Sequence, residues 1–197
     1  LPAPSPLPTA TLMARAETDP VGTIGQDAAD DPAIWRNSAD PSASLIVGTD
    51  KKGGIYVYDL MGKVLSFTDA EAVNNVDLVE LDDGRILVGA SDRSDPANAG
   101  ILFYFLDPES AALTPAGRIA AGPGEGYGFC FGTSERGLPL AYSPVKEGAI
   151  YESALTLNGT MIGGSTTRTM RVDTQPEGCV VDRPGNQLYV GEEAAGI

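Results

Sequence analysis

The stretch Gln175-Pro176-Glu177-Gly178-Cys179-Val180-Val181-Asp182 places an acidic residue and a glycine at the start of an apolar, β-branched run. A polar group opens an apolar strand in the same way at three earlier places, residues 30–35, 74–79 and 126–131. The steps between the leading polar residues are 47, 50 and 50 residues, from Asp30 to Asp77, Tyr127 and Glu177. A repeat of about 50 residues is typical of a β-propeller blade. The sequence therefore predicts a propeller.

A second polar group follows the first in every repeat, after a strand, a turn and another strand. These second groups are Lys51 and Lys52, Arg93, Lys146 and Glu193. An antiparallel hairpin brings the start of its first strand beside the end of its second. We therefore expect Asp30 beside Lys51 and Lys52, Asp77 beside Arg93, Tyr127 beside Lys146, and Glu177 beside Glu193. In a radial arrangement all of them meet around one opening.

The repeats also predict how the chain is organised. Each complete repeat offers four strand-like runs, which is the number in a propeller blade, so the fold class is all-β with four-stranded antiparallel blades. About three and a half such repeats fit in the 197 residues. Propellers close with about 4–8 blades. We therefore expect a disordered, proline-rich tail at residues 1–16 and a propeller domain at residues 17–197 that is incomplete at its C-terminus.

The amino-acid composition excludes several classes of partner, catalytic site and metal site. The net charge of −14 argues against binding to nucleic acid or to an anionic membrane and suits a protein that holds cations. The chain has no histidine, so it holds neither a Ser-His-Asp triad nor imidazole-bound zinc. A metal must then be held by oxygen ligands, as calcium, magnesium and manganese are. The two cysteines, Cys130 and Cys179, fit either a disulfide or two buried thiols.

A solvated turn is the simplest interpretation of any one polar tip taken alone. Their shared register changes that interpretation, because three of the four lysines, Lys51, Lys52 and Lys146, fall on second tips. Converging carboxylates can hold hard cations, and lysine, arginine and tyrosine side chains can hold phosphate oxygens. Cations next to a phosphate site favour metal-assisted hydrolysis of a phosphoester.

The chain resembles the β-propeller phytases, which are calcium-dependent alkaline phytases. The stretches that carry the resemblance run in family order from residue 27 to the end: Asp30-Asp31-Pro32-Ala33-Ile34-Trp35, Lys51-Lys52-Gly53-Gly54, Asn74-Asn75-Val76-Asp77, Ser91-Asp92-Arg93-Ser94, Tyr127-Gly128-Phe129, Lys146-Glu147-Gly148, Gln175-Pro176-Glu177-Gly178 and Leu188-Tyr189-Val190-Gly191-Glu192-Glu193. Each stretch alone is weak, and together they are specific.

The resemblance implies a six-bladed propeller that binds several calcium ions and acts as a 3-phytase. A calcium-bound water would attack phosphorus in phytate, myo-inositol hexakisphosphate, and release phosphate and lower inositol phosphates. It implies catalytic roles for Asp30, Tyr127, Glu177 and Glu193, and calcium binding by these four residues and Asp31. It implies phosphate binding by Lys51, Lys52, Arg93 and Lys146, with Asn75 and Asp77 beside them. It also implies a monomeric protein, secreted or periplasmic in a bacterium.

Two other functions remain open at this point. One is a non-catalytic, calcium-stabilised propeller that serves as a binding module, since fold alone does not give function. The other is a cysteine-dependent phosphatase, because Cys130 and Arg136 have the Cys-x5-Arg spacing of that class. That chemistry needs a phosphate loop at a helix N-terminus, whereas the residues after Arg136 resemble a strand.

Overall fold

The computed structural model of the protein describes residues 10–133, 138–182 and 184–197. Fourteen β-strands and one short 3-10 helix, Pro41–Ala43, make up the regular structure of these residues. No α-helix occurs in the described part of the chain, which confirms the all-β prediction. None of its helices is long and apolar enough to cross a membrane.

The strands form three four-stranded sheets and one two-stranded sheet, each antiparallel and ordered as in the sequence. The first sheet holds β1 (Ala29–Trp35), β2 (Leu45–Asp50), β3 (Gly54–Tyr58) and β4 (Val64–Asp69). The second holds β5 (Val73–Glu80), β6 (Ile86–Asp92), β7 (Asn98–Asp107) and β8 (Ala112–Pro123). The third holds β9 (Cys130–Phe131), β10 (Leu140–Pro144), β11 (Ala149–Asn158) and β12 (Met161–Arg171), and the fourth holds β13 (Pro176–Asp182) and β14 (Gln187–Glu192). We call these sheets blades one to four.

Apolar side chains between neighbouring blades form the core. Val47 and Val57 of blade one pack in one cluster with Val88 of blade two, and all three are fully buried. Phe103 of blade two packs in a second cluster with Phe129 at the start of blade three. Strands buried on both faces favour the β-branched and aromatic residues found here. Burial of these side chains therefore holds the blades face to face.

Tight turns join neighbouring strands where the sequence offers glycine. Gly84 closes the β5–β6 hairpin with a φ of +82°, and its N–H donates to the carbonyl of Leu81 at 2.8 Å. Gly159 closes the β11–β12 hairpin with a φ of +62°. Glycine adopts these left-handed conformations without the steric cost that a Cβ atom brings.

The first strands of successive blades lie side by side. β1 packs against β5, β5 against β9, and β9 against β13. A disulfide between Cys130 of β9 and Cys179 of β13 adds a covalent link between blades three and four. Because these first strands pack against one another in order, the polar residues at their starts lie along one edge of the structure. We call this edge the rim.

The N-terminal segment lies along blade one. The N–H of Gly22 donates to Tyr56 Oη at 2.8 Å, and that of Thr23 donates to Asp50 Oδ2 at 3.2 Å. Residues 10–16 are exposed and carry no strand, and residues 1–9 of the expected tail lie outside the described residues. The predicted domain limits, including an incomplete C-terminus, stay predictions.

Candidate active site at the rim of the blades

Backbone hydrogen bonds show which rim residues are equivalent. In each blade the second-tip residue donates its N–H to the carbonyl of the residue that stands two places before the first tip. These bonds run from Lys51 to Ala28 (2.8 Å), Arg93 to Ala72 (2.9 Å), Lys146 to Glu125 (3.2 Å) and Glu193 to Gln175 (3.0 Å). The first-tip positions are therefore Asp30, Asn74, Tyr127 and Glu177.

A β-bulge shapes three of these first tips. Between Ala29 and Pro32, β1 has one residue more than its partner β2. The same shift occurs between Val73 and Val76 of β5, and between Pro176 and Cys179 of β13. A bulge re-aims the side chains it contains. The pairs Asp30-Asp31, Asn74-Asn75 and Glu177-Gly178 all lie inside one.

The basic side chains of blades one to three line one cavity of about 900 Å³. Its lining includes Lys51, Lys52, Arg93, Tyr127 and Lys146. The structure thus brings together all four cations that the sequence assigns to phosphate binding. The cavity also has acidic side chains in its lining, namely Asp27, Asp69 and Glu71.

Lys51 is held by two carboxylates. Its Nζ lies 3.0 Å from Asp27 Oδ2 and 3.2 Å from Asp30 Oδ1. Burial alone would lower the pKa of Lys51, but hydrogen bonds to these two carboxylates outweigh burial and raise it. The side chain therefore stays charged and pairs with Asp30, as expected. Lys52 donates its N–H to Asp50 Oδ1 at 3.0 Å, and its side chain is exposed.

Arg93 and Lys146 form one cationic cluster around Tyr127. The Tyr127 ring centroid lies 5.6 Å from Arg93 Cζ and 4.8 Å from Lys146 Nζ, which are cation–π distances. Glu125 Oε1 accepts from Arg93 Nη2 and lies 3.0 Å from Lys146 Nζ. The sequence predicts Lys146 beside Tyr127, and the structure places them in contact. Sequence reasoning missed Glu125.

Asn74 is a second functional residue that sequence reasoning missed. It is fully buried, and its Oδ1 accepts from Arg93 Nη1 at 2.7 Å. Its Nδ2 donates to Asn75 Oδ1 at 2.9 Å and lies 3.4 Å from Glu177 Oε1. Asn74 thus connects the cationic cluster of Arg93 and Lys146 to the acidic side of the rim. Its place directly before Asn75, inside the quoted motif, was the signal that could have found it.

Asp77 lies further along β5 than the first tip. Its Oδ2 accepts the N–H of Phe131 of blade three at 2.8 Å, and its Oδ1 accepts the N–H of Leu78. The partner of Arg93 at the first tip of this blade is Asn74, where the sequence predicts Asp77. Asn75, which we expected near the phosphate site, is almost buried and donates its N–H to Ser91 Oγ at 2.9 Å.

Carboxylates gather on the other side of the rim. Asp30, Asp31, Asn75, Glu177 and Gly178 line a cavity of about 310 Å³. Burial and then the carboxylates of Asp30 and Asp77 raise the pKa of Asp31 to about 6, against the hydrogen bonds it accepts. Burial and then the carboxylates of Asp30 and Glu193 raise the pKa of Glu177. These acidic groups therefore repel one another.

The fit of this side to a metal ion is visible in Asp30. Its Oδ2 is buried and has no hydrogen-bond partner among the described residues. A buried carboxylate oxygen without a partner is costly, and a cation would satisfy it. Within the described part of the chain, however, no group of three or more Asp, Glu, Cys or His side chains is close enough to hold a metal ion. The negative charge of the acidic side therefore suits a cation, but the described residues do not form a complete set of metal ligands.

Tyr127 and Glu193 are the remaining two residues that the sequence assigns to calcium binding. Burial, followed by the carboxylates of Glu177 and Glu193, raises the pKa of Tyr127. Its phenol therefore stays protonated. Glu193 Oε1 accepts from Gln175 Nε2 at 2.5 Å and remains exposed.

The structure argues against the cysteine-dependent alternative. Cys130 lies in β9 and is joined to Cys179, so neither thiol is free to act as a nucleophile. Among the described residues between Cys130 and β10, none belongs to a helix. Arg136, the other half of that motif, lies outside the described residues.

Comparison with known proteins gives the family. The sequence model of the Phytase family matches residues 4–197. The chain belongs to the phytase family. The 3-phytase of Bacillus subtilis (strain 168) is 36% identical over 196 residues, an alignment that covers 94% of this chain and 51% of the relative. This phytase-family chain therefore spans about half the length of that relative.

Proposed function

We propose that the full-length protein is a 3-phytase that hydrolyses phosphate monoesters of phytate with the help of calcium. Membership of the phytase family and the 3-phytase from Bacillus subtilis support the reaction class. One structural observation carries the proposal. Lys51, Arg93 and Lys146 occupy equivalent positions in three blades and face one cavity of about 900 Å³.

The cations would bind and orient phosphate groups. Arginine presents a planar fork that matches two phosphate oxygens, and lysine supplies a compact charge. Lys51 lies on blade one, and Arg93 and Lys146 lie on blades two and three around the same cavity, so a substrate with several phosphates could contact cations of all three blades at once. The four cations in the lining outnumber its three carboxylates, and a net positive cavity draws in a polyanion. Phytate fits this description better than a simple monoester does.

Calcium would bind on the acidic side of the rim. Asp30, Asp31, Glu177 and Glu193 would hold it with Tyr127, and the partnerless Asp30 Oδ2 supports that assignment. When bound, calcium supplies positive charge for the phosphoryl oxygens and makes water a better nucleophile. The carboxylates of the acidic side would hold the ion near the cationic cluster of Arg93 and Lys146. Asn74 links the two sides through its contacts with Glu177 and Arg93.

We also propose that the protein is secreted or periplasmic. Disulfides form and persist in oxidising compartments and are rare in the cytosol. The bond between Cys130 and Cys179 supports this location.

Phosphate release from myo-inositol hexakisphosphate by the purified full-length protein tests the function. We expect release with calcium, little or none with EGTA, and recovery after calcium is restored. Release that continues at the full rate in EGTA would refute the calcium role. Tight phytate binding without any release would instead favour the non-catalytic binding module.

A further inference from the structure

We propose that Glu125 is a positioning residue that holds Arg93 and Lys146 together as a single site for one phosphate group. This inference rests on the proposed function and extends it to a residue that touches the cations instead of the substrate. One carboxylate oxygen, Oε1, contacts both Arg93 Nη2 and Lys146 Nζ.

The two cations need such a partner because they crowd each other. Both contact the same oxygen, Glu125 Oε1, so their charged groups lie only a few ångströms apart. Like charges at such a separation repel, and the repulsion is stronger where the side chains are partly buried. The exposed fractions of the Arg93 and Lys146 side chains are 21% and 30%, and that of Glu125 is 20%. A carboxylate between the two cations offsets their repulsion, and without it the flexible lysine can swing away.

The backbone around Glu125 fixes where its carboxylate points. Its N–H donates to Glu147 Oε2 at 3.1 Å, and its carbonyl accepts from Lys146 at 3.2 Å. The preceding Gly124 has a φ of +114°, and a Cβ atom there would lie 2.4 Å from Glu147 Oε2. The segment is therefore tied to the turn that carries Lys146, and its shape requires glycine.

The position of Glu125 indicates whether it helps the two cations to bind a phosphate group or competes with that group for them. Arg93, Lys146 and Tyr127 line the large cavity, whereas Glu125, which contacts both cations, is not among the residues that line it. An acid in the lining would compete with a phosphate group for the cations. An acid outside the lining leaves their remaining N–H groups free for a phosphate group. The two arrangements predict opposite effects when the charge of Glu125 is removed.

Burial alone would raise the pKa of Glu125, but hydrogen bonds from Lys146 and Arg93 outweigh it and lower the pKa. Glu125→Gln keeps the shape and one acceptor oxygen, removes the charge and replaces the other oxygen with an NH2 donor.

The test measures anion binding apart from turnover. Inorganic sulfate is a tetrahedral dianion like a phosphate group, and its affinity for the full-length protein can be measured by isothermal titration calorimetry at calcium concentrations low enough to keep calcium sulfate dissolved. We expect E125Q to bind sulfate about tenfold more weakly than the parent at an unchanged melting temperature, because two charge-assisted contacts lose their shared anchor.

Glu152→Gln is the matched control. Glu152 pairs with Arg168 at 2.6 Å on the third blade, away from the cavity lining, so E152Q removes a similar ion pair and should leave sulfate affinity unchanged. Glu125→Asp, which keeps the charge, serves if E125Q fails to fold, and its shorter side chain should also weaken binding. In a Lys146→Met background, E125Q should have a smaller effect than in the parent.

Unchanged or tighter sulfate binding by folded E125Q would overturn the positioning role and favour competition. Failure of the parent itself to bind sulfate would refute the phosphate site and with it the proposed function. The two failures are therefore distinct.

Discussion

Arg93 has a role that its charge alone does not supply. One terminal nitrogen reaches Asn74 in its own blade, and the other reaches Glu125 in the segment that leads into blade three. Only a planar group with donors pointing in fixed directions can contact both at once. Arg93 therefore joins two blades at the point where a phosphate group is expected to bind.

Replacing Arg93 with lysine should separate charge from geometry. We expect R93K to lower kcat/KM for phytate by about tenfold or more, because one ammonium group cannot keep both partners and still face the cavity. Steady-state phosphate release measures this. Arg85→Lys is the control, since Arg85 forms a similar fork with Asp83 outside the cavity lining. Parent-like kinetics for R93K would show that charge alone suffices.

At the residue level, the sequence predicted the four cations and their shared register but misjudged one first tip. Asp77 fits the repeat spacing of about 50 residues, whereas the bulge between Val73 and Val76 puts Asn74 at the rim. A bulge adds a residue without a distinctive sequence pattern, so it shifts register where spacing arguments are weakest. Glu125 could not be predicted, because it precedes β9 and its role depends on Arg93 and Lys146, which lie elsewhere in the sequence.

At the level of elements, the outermost strand of blade two shows how a strand can be hard to recognise in the sequence. This strand, β8, spans 12 residues, Ala112–Pro123. Pro115 and Gly117 interrupt its β pattern. As the last strand of its sheet, β8 needs ladder hydrogen bonds on one side only, so it tolerates both residues. The register shift between Phe103 and Tyr104 of β7 accommodates them.

The disulfide gives an element-level prediction. It fastens β13, the strand that carries Glu177, to β9 of the neighbouring blade. The double variant C130A/C179A should lose about 2–4 kcal/mol of unfolding free energy, since the cross-link closes a long loop. Urea denaturation measures the loss. A reductant should lower the melting temperature of the parent toward that of the variant and leave the variant unchanged. An equal effect on both proteins would contradict the structural role of the bond.

At the level of the whole molecule, the site exists only because the blades are arranged around one rim. Blade one supplies Lys51 and Asp30, blades two and three supply Arg93 and Lys146, and blade four supplies Glu177. The charge of the chain is equally a property of the whole, with 27 acidic and 13 basic residues. Repulsion among so many carboxylates destabilises the folded state. The proposed calcium sites would relieve that repulsion where it is strongest, around Asp30, Asp31 and Glu177.

Calcium should therefore stabilise the protein beyond what salt screening achieves. A cation that binds only the folded state adds about 2.7 kcal/mol at a hundred times its Kd. We expect calcium to raise the melting temperature more than magnesium does at equal ionic strength, because calcium accepts the looser, oxygen-rich sites that magnesium disfavours. Sodium chloride should give only a small rise through screening. Equal shifts with calcium and magnesium would refute a selective site.

Asp30→Asn tests where that stabilisation arises. In EGTA we expect D30N to melt at or above the parent temperature, because it relieves the repulsion with Asp31 and Glu177 and removes a charge with an unsatisfied buried oxygen. These gains should offset the lost ion pair with Lys51, which keeps its contact with Asp27. With calcium the order should reverse, because a ligand is missing. Glu109→Gln removes one charge from an exposed turn and should leave the calcium response intact. If calcium raises the melting temperature of D30N as much as that of the parent, the stabilising ion binds elsewhere. Loss of a ligand of that ion would reduce the rise.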